Sequence, residues 1–279
     1  MAIFTGIVDF NVNYVNLNWL YENAYDSYYK NGVNYIYDSV KYEDVYEIYA
    51  SDGEYDEYLY IYGKGISSSG DSGTVQLMGY GSNDSNSNYW WATGLSISVS
   101  ALLKAAQTSS TVDDLKIFAT AFSGNDTFNL SNSRDVVNGF AGSDTVSGNG
   151  GDDDLYGGLG DDKLTGGTDE DYFVFDTKLN SSNNVDTITD FIKGTDEIVL
   201  DDDIFSKLNG SSGGKSINSS SYIIGSKAKD TNDYIFYNTS NDTLYYDTDG
   251  SGKAAAIAFA IVKLSGTNAP SYSDFLIIA

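Results

Sequence analysis

Six aspartates recur at a spacing of nine residues: Asp126, Asp135, Asp144, Asp153, Asp162 and Asp171. Two positions after each stands an apolar residue: Phe128, Val137, Val146, Leu155, Leu164 and Phe173. Written in nines, residues 121–174 read AFSGNDTFN, LSNSRDVVN, GFAGSDTVS, GNGGDDDLY, GGLGDDKLT and GGTDEDYFV. A carboxylate returned at a fixed interval by a glycine-rich turn is an oxygen donor, and the chemistry it suits is cation binding. If two units make one coil, equivalent aspartates stack roughly 4.8 Å apart. At an effective dielectric near 20, one such pair repels by about 3–4 kcal/mol. A hard divalent cation between them reverses the sign. Oxygen-only donors, from carboxylates and turn carbonyls at about 2.3–2.6 Å, favour calcium over magnesium or a transition metal.

The elements that must position these groups follow from the same period. Each unit reads as a glycine turn followed by a short strand, with the apolar residue at position eight pointing inward and its neighbours outward. Glycine lets the turn adopt φ > 0 and lets carbonyls crowd inward with no Cβ in the way. Units one, three and five then stack their turns on one side, and two, four and six on the other. That arrangement offers up to four inter-turn sites.

This run resembles the repeats-in-toxin (RTX) family, whose nonapeptides form a calcium-loaded parallel β-roll. The resemblance implies side-chain ligands at Asp144, Asp153, Asp162 and Asp171, and carbonyl ligands at Gly139, Ala141, Gly148, Gly150, Gly157, Leu159 and Gly167. Asp126 and Asp135, in the less regular first two units, and Asp169, at the fourth position of the sixth, complete the candidate set. Downstream, Asp186-Thr-Ile-Thr-Asp-Phe191 and Gly194-Thr-Asp-Glu-Ile-Val-Leu200 are similar to the segment that closes such rolls. Ile235-Phe-Tyr-Asn, Leu244-Tyr-Tyr-Asp-Thr-Asp-Gly-Ser-Gly252 and Asp274-Phe-Leu-Ile-Ile-Ala279 are similar to RTX C-terminal modules. In that family an uncleaved C-terminal signal directs type I secretion, so the resemblance implies a secreted protein. The Asp247–Gly252 stretch reads either as one more calcium loop or as an Asx/Gly turn in a hairpin.

Composition removes other classes of function. The 279 residues contain no His and no Cys, which excludes zinc-protease, Ser–His–Asp and thiol chemistry. A formal charge of −25 argues against nucleic acid and anionic membranes as partners. The longest apolar run, Ala254 to Val262, is too short for a spanning helix, and the N-terminus has no basic, then apolar, signal-peptide pattern. Membrane insertion is therefore not expected.

The expected fold is all-β, in three parts: a Tyr-rich antiparallel β domain at 1–120, the parallel β-roll with its closing segment at 121–200, and a C-terminal β cap with the secretion signal at 201–279. The first part holds sixteen of the 24 Tyr and all three Trp. Strands are predicted over Val33–Tyr42, Val45–Tyr49, Tyr58–Tyr62 and Leu95–Val99, with turns at Asn31-Gly32, Asp52-Gly53 and Gly63–Gly65. Ser100 is expected to cap a short helix running to Gln107. The function expected is non-enzymatic: an extracellular surface-layer, filament or matrix subunit that folds and self-associates on calcium. The alternatives are a calcium-dependent adhesin that stacks Tyr89-Trp90-Trp91 on cell-surface polysaccharide, or a polysaccharide-acting enzyme using paired carboxylates.

Overall fold

The computed structural model describes residues 3–6, 24–37, 40–51, 56–64, 74–82, 90–106, 111–208, 214–266 and 268–279. By its backbone contacts the chain forms two compact units, Met1–Ser131 and Asn132–Ala279.

In the first unit, β1 (Ile3–Gly6) is followed by β2 (Ala24–Tyr37), β3 (Val40–Ser51), β4 (Asp56–Lys64), β5 (Thr74–Ser82) and β6 (Trp90–Ser98). Strands β2 to β6 form an antiparallel meander, and β6 also pairs antiparallel with β1. Two helices follow, α1 (Val99–Ala106) and α2 (Thr111–Ala121), then β7 (Thr127–Asn129), which pairs parallel with β1. The antiparallel β domain expected from the β-branched and aromatic runs is present.

Three details differ from expectation. Val33–Tyr42 is not one strand: Tyr35 pairs with Tyr42 and Tyr37 with Val40, so the segment folds back on itself. Asn31-Gly32 is not a chain reversal, because β2 runs through it and absorbs it as a register shift between Asn31 and Tyr35. The cap of α1 is Ser98 rather than Ser100, since Ser98 Oγ accepts the Ala101 amide at 3.1 Å. The expected turn at Asp52-Gly53, and Gly65, Tyr89 and Gln107, lie outside the described residues.

The second unit is where the nine-residue period becomes a structure. Strands β8 (Val136–Asn138), β9 (Thr145–Gly150), β10 (Asp154–Tyr156), β11 (Lys163–Thr168), β12 (Tyr172–Phe175), β13 (Asp186–Phe191) and β14 (Glu197–Asp201) alternate between two sheets. One sheet contains β8, β10, β12 and β14, all parallel; the other contains β9, β11 and β13, also parallel. Leu155 stands opposite both Val137 and Phe173, and Leu164 opposite Val146, so two units make one coil. The C-terminal strands extend both sheets. After the short β15 (Lys215–Ser216) come β16 (Tyr222–Ile224), β17 (Ile235–Asn238), β18 (Thr243–Tyr246), β19 (Ile257–Leu264) and β20 (Phe275–Ile278). Strand β19 adds parallel to β13, and β20 adds parallel to β14.

The position-eight residues line the interior in two ladders. Val137, Leu155, Phe173, Ile198 and Phe275 follow one another in register across the first sheet, and Val146, Leu164, Ile188 and Val262 across the second. All nine are fully buried. Burial of each such side chain contributes about 1.5–3 kcal/mol. Leu164→Ala is expected to destabilise the calcium-bound protein by about 2–5 kcal/mol. Lys163→Ala, on the outward face, is expected to stay within about 0.5 kcal/mol. Denaturant titration in saturating calcium checks both, and equal effects would contradict the assigned faces.

Candidate metal centre

The turns between strands place the aspartates in two buried rows. One row contains Asp135, Asp153, Asp171 and Asp196; the other contains Asp144, Asp162 and Asp186. In each row a carboxylate reaches one coil back and takes the amide of the preceding aspartate on Oδ1. The distances are 2.8 Å from Asp135 N to Asp153, 2.7 Å from Asp144 N to Asp162, and 3.2 Å from Asp153 N to Asp171. That bond fixes the second oxygen toward the glycine turn. There, Oδ2 of Asp153, Asp162 and Asp171 is buried and has no hydrogen-bond partner. A buried carboxylate oxygen left bare is costly unless a proton or a cation meets it.

The first glycine of each regular unit explains its residue type by space, not by φ. A Cβ on Gly139 would lie 2.5 Å from the Gly157 carbonyl oxygen and 2.6 Å from Asp144 Oδ2. On Gly148 it would meet Asp153 Oδ2 and the Gly166 carbonyl oxygen, and on Gly166 it would meet Asp171 Oδ2. Carboxylate and main-chain oxygens therefore gather where any side chain would intrude. The second and fourth positions are the ones that demand a left-handed backbone. Gly158 and Gly160 have φ of 94° and 137°, and Phe140, Asn149 and Asp169 adopt φ of 67°, 75° and 80° at equivalent places. Among the described residues no group of three acidic side chains is arranged to hold an ion by itself. The donor set is mixed, aspartate oxygens with turn carbonyls, and its bare buried oxygens and glycine-lined space fit a hard oxygen-seeking cation such as calcium.

The candidates read from sequence fall as follows. Asp135, Asp144, Asp153, Asp162 and Asp171 come together in the two rows, all buried. Asp126 is buried in the first unit. The Gly139 carbonyl accepts the Ala141 amide at 3.1 Å, and the Leu159 carbonyl accepts the Gly142 amide at 2.8 Å. Gly150 lies in β9 opposite Thr168. Gly167 donates its amide to Asp190 Oδ2 at 3.0 Å, and it is Gly166 that occupies the position equivalent to Gly148. Asp169 is exposed, with Oδ2 3.4 Å from the Gly151 amide. Asp186, Asp190 and Asp196 are new to the set. Asp186-Thr-Ile188 and Asp196-Glu-Ile198 repeat the aspartate-x-apolar signature, displaced from the period of nine by longer connections.

Asp247–Gly252 forms the turn between β18 and β19, where Asp247 Oδ1 accepts the Asp249 amide, two residues on, at 3.2 Å. This is the Asx-turn reading of that stretch.

Burial pushes the row carboxyls upward. Asp153 is raised to about 8 and Asp171 to about 7, by desolvation first and then by the neighbouring aspartates. Asp196 is raised to about 6, again chiefly by burial. Asp162 and Asp186 are both raised, chiefly by burial, and the charge of Asp162 raises Asp186 further. A folded-state pKa above the ordinary carboxylate value means the folded roll holds protons that the unfolded chain has released. Its contribution to stability is full below the ordinary carboxylate range and is lost as pH rises through about 6 to 8. In chelator, the melting midpoint of the roll is expected to be higher at pH 5.5 than at pH 8. Adding calcium at pH 7 is expected to release protons, read by calorimetry in two buffers of different ionisation heat. A pH-independent midpoint with no proton release would contradict the assignment.

The match to a family model agrees with the geometry. The family model described as the RTX calcium-binding nonapeptide repeat (4 copies) matches residues 120–155 and 147–176. No curated protein matches the chain. Among solved structures, a subunit of the Azotobacter vinelandii mannuronan C5-epimerase, determined in solution, is similar at 23% identity. That similarity covers 55% of this chain and 78% of the other, with a TM-score of 0.35. Residues 120–176 are an array of RTX nonapeptide repeats, and the ion that this β-roll binds is calcium.

Proposed function

We propose that the protein is an extracellular structural subunit, of a surface layer, filament or matrix, whose fold and self-association are gated by calcium. The observation that carries this reading is the set of bare, buried aspartate oxygens at Asp153, Asp162 and Asp171. Without a cation these charges oppose the coil that buries them, and the glycine turns lose much entropy on ordering. At the calcium levels of a cytosol the roll stays open; outside, sites of roughly 10⁻⁴–10⁻³ M affinity fill and close it. In this reading Asp135, Asp144, Asp153, Asp162 and Asp171 hold calcium together with the carbonyls of Gly139, Ala141, Gly148, Gly150, Gly157, Leu159 and Gly167. Calcium supplies the positive charge that lets stacked carboxylates approach; the chain supplies the spacing, the bare oxygens and the exclusion of water. Asp126 and Asp169 extend the set at its margins.

Two further features support a non-catalytic, associating protein. No His or Cys is available for acid–base or nucleophilic work. Strand β2, fourteen residues long, ends its sheet, and among the described strands it pairs on one side only. A long strand edge is a template for pairing with another chain. Trp90 and Trp91, offered above as a glycan platform, lie in β6 between β1 and β5. No described helix is long and apolar enough to cross a membrane.

Size-exclusion chromatography and electron microscopy, with and without millimolar calcium, test the proposal. Sheets or filaments that appear only with calcium are expected. A monomer under both conditions would overturn the structural role. Calcium-dependent retention on a polysaccharide column by that monomer would favour the adhesin.

A further inference from the structure

The geometry points to Asn138-Gly139 as a modification site, at which the open chain deamidates and the closed roll does not. The inference rests on the calcium-gated closure proposed above. An asparagine followed by glycine is prone to this reaction because glycine has no Cβ to shield its main-chain nitrogen. The Gly139 nitrogen loses its proton to solvent and attacks Asn138 Cγ. The new carbon–nitrogen bond displaces the side-chain amide, which takes up a proton and leaves as ammonia. Water, the only co-reactant, then opens the cyclic imide at either carbonyl, giving aspartate or isoaspartate.

The closed coil holds both reacting groups. Asn138 ends β8 opposite Tyr156 of β10, and the Gly139 amide donates to the Tyr156 carbonyl at 2.9 Å. Asn138 Oδ1 accepts the Phe140 amide at 2.7 Å. Phe140, at φ 67°, in turn accepts the Leu159 amide on its carbonyl at 2.9 Å. Attack needs the Gly139 amide to give up its proton and turn toward Cγ. Two of the three bonds that oppose this, those of Tyr156 and Leu159, come from the next coil and exist only while that coil is stacked. In the open chain the nitrogen and Cγ are neighbours free to meet, the condition under which an intramolecular reaction is fast.

The product does not fit the turn it came from. Isoaspartate carries the main chain through the former side chain, which adds a methylene to the backbone just before Gly139 and leaves a carboxylate beside it. Gly139 is buried, and even a Cβ there would lie 2.5 Å from the Gly157 carbonyl oxygen and 2.6 Å from Asp144 Oδ2. A longer backbone and a further negative charge at this point oppose both the stacking of the coils and the approach of Asp144. A chain left long without calcium is thereby marked, irreversibly, as unable to close, and a chain that closes promptly is preserved. The sequence holds four Asn-Gly pairs, at Asn31, Asn138, Asn149 and Asn209. Asn138-Gly139 is the pair that opens the turn stacked on Gly157 to Leu159.

Tandem mass spectrometry of the full-length protein, aged at neutral pH in calcium, in chelator, and in chelator with urea, tests this. The measured change is ammonia lost and water gained at Asn138, resolved from the other Asn-Gly pairs. Conversion in chelator is expected to match that in urea and to exceed that in calcium by about tenfold or more, because only the opened coil reacts. Conversion in calcium as fast as in urea would overturn the lock. Conversion as slow in chelator as in calcium, yet fast in urea, would overturn the calcium gating and leave the lock of the closed coil standing. When the sample aged in chelator is returned to calcium, limited proteolysis in that buffer separates closed chains from open ones. Isoaspartate at position 138 is expected in the cleaved fraction alone, and its presence in the resistant fraction would overturn the misfit.

Discussion

The second half of the molecule depends on a carboxylate with one oxygen satisfied and one bare. Asp153, Asp162 and Asp171 each accept on Oδ1 the amide of the aspartate one coil back, which ties adjacent coils together as a ladder bond would. That same bond holds Oδ2 in the interior of the turn, where Asp153, Asp162 and Asp171 have no hydrogen to meet it. The turn thus carries a structural bond and an electrostatic debt on one side chain. Stability of the coil is inseparable from whatever settles that charge, and a single ion serves carboxylates and carbonyls of two coils at once.

The apolar ladders and the aspartate rows are complementary in what they do. Val137, Leu155, Phe173 and Ile198 on one side, and Val146, Leu164 and Ile188 on the other, make a narrow core, one or two apolar side chains per strand in the regular coils and three in β12 and β14. Such a core ranks each coil by its neighbours and has no redundancy. Aromatic contacts thicken it toward the C-terminal end: Phe175 and Phe205 both pack edge-on against Phe259, with ring centroids 5.2 Å apart in each pair. The C-terminal strands therefore bring the breadth of burial that the glycine-rich coils lack, and they do so by continuing the same two sheets through β19 and β20.

The sequence was most legible where period and chemistry coincide. Aspartate at position six and an apolar residue at position eight identify both the buried rows and the inner ladders, because a strict period of nine admits only one pairing of coils. Legibility failed where the register breaks. Asp186 and Asp196 carry the same aspartate-x-isoleucine signature, but row spacings of 24 and 25 residues, in place of the eighteen of a regular coil, hide them from a search at fixed spacing. Asp169 reads from its type as a ligand and is held in the structure by its turn, in a left-handed conformation on the exposed side. In the first unit the difficulty was different. Alternating Tyr and β-branched residues mark strands well but not their reversals, so Val33–Tyr42 reads as one strand while its two ends pair with each other. Thr111–Ala121 went unread as a helix, though Asp113 and Asp114 stand in its first turn, where acids favour a helix start.

Because successive units alternate between sheets, the array has a parity. Adding or deleting a single nonapeptide would send every later strand to the opposite sheet. Strand β13 would then face the partners of β14, and β19 would lose the neighbour on which it docks. Eighteen residues can be inserted without that exchange, since the coil count changes and the side does not. The roll can therefore lengthen or shorten only by whole coils, and each whole coil brings one aspartate to each row. Growth of such an array is quantised in charge as well as in length.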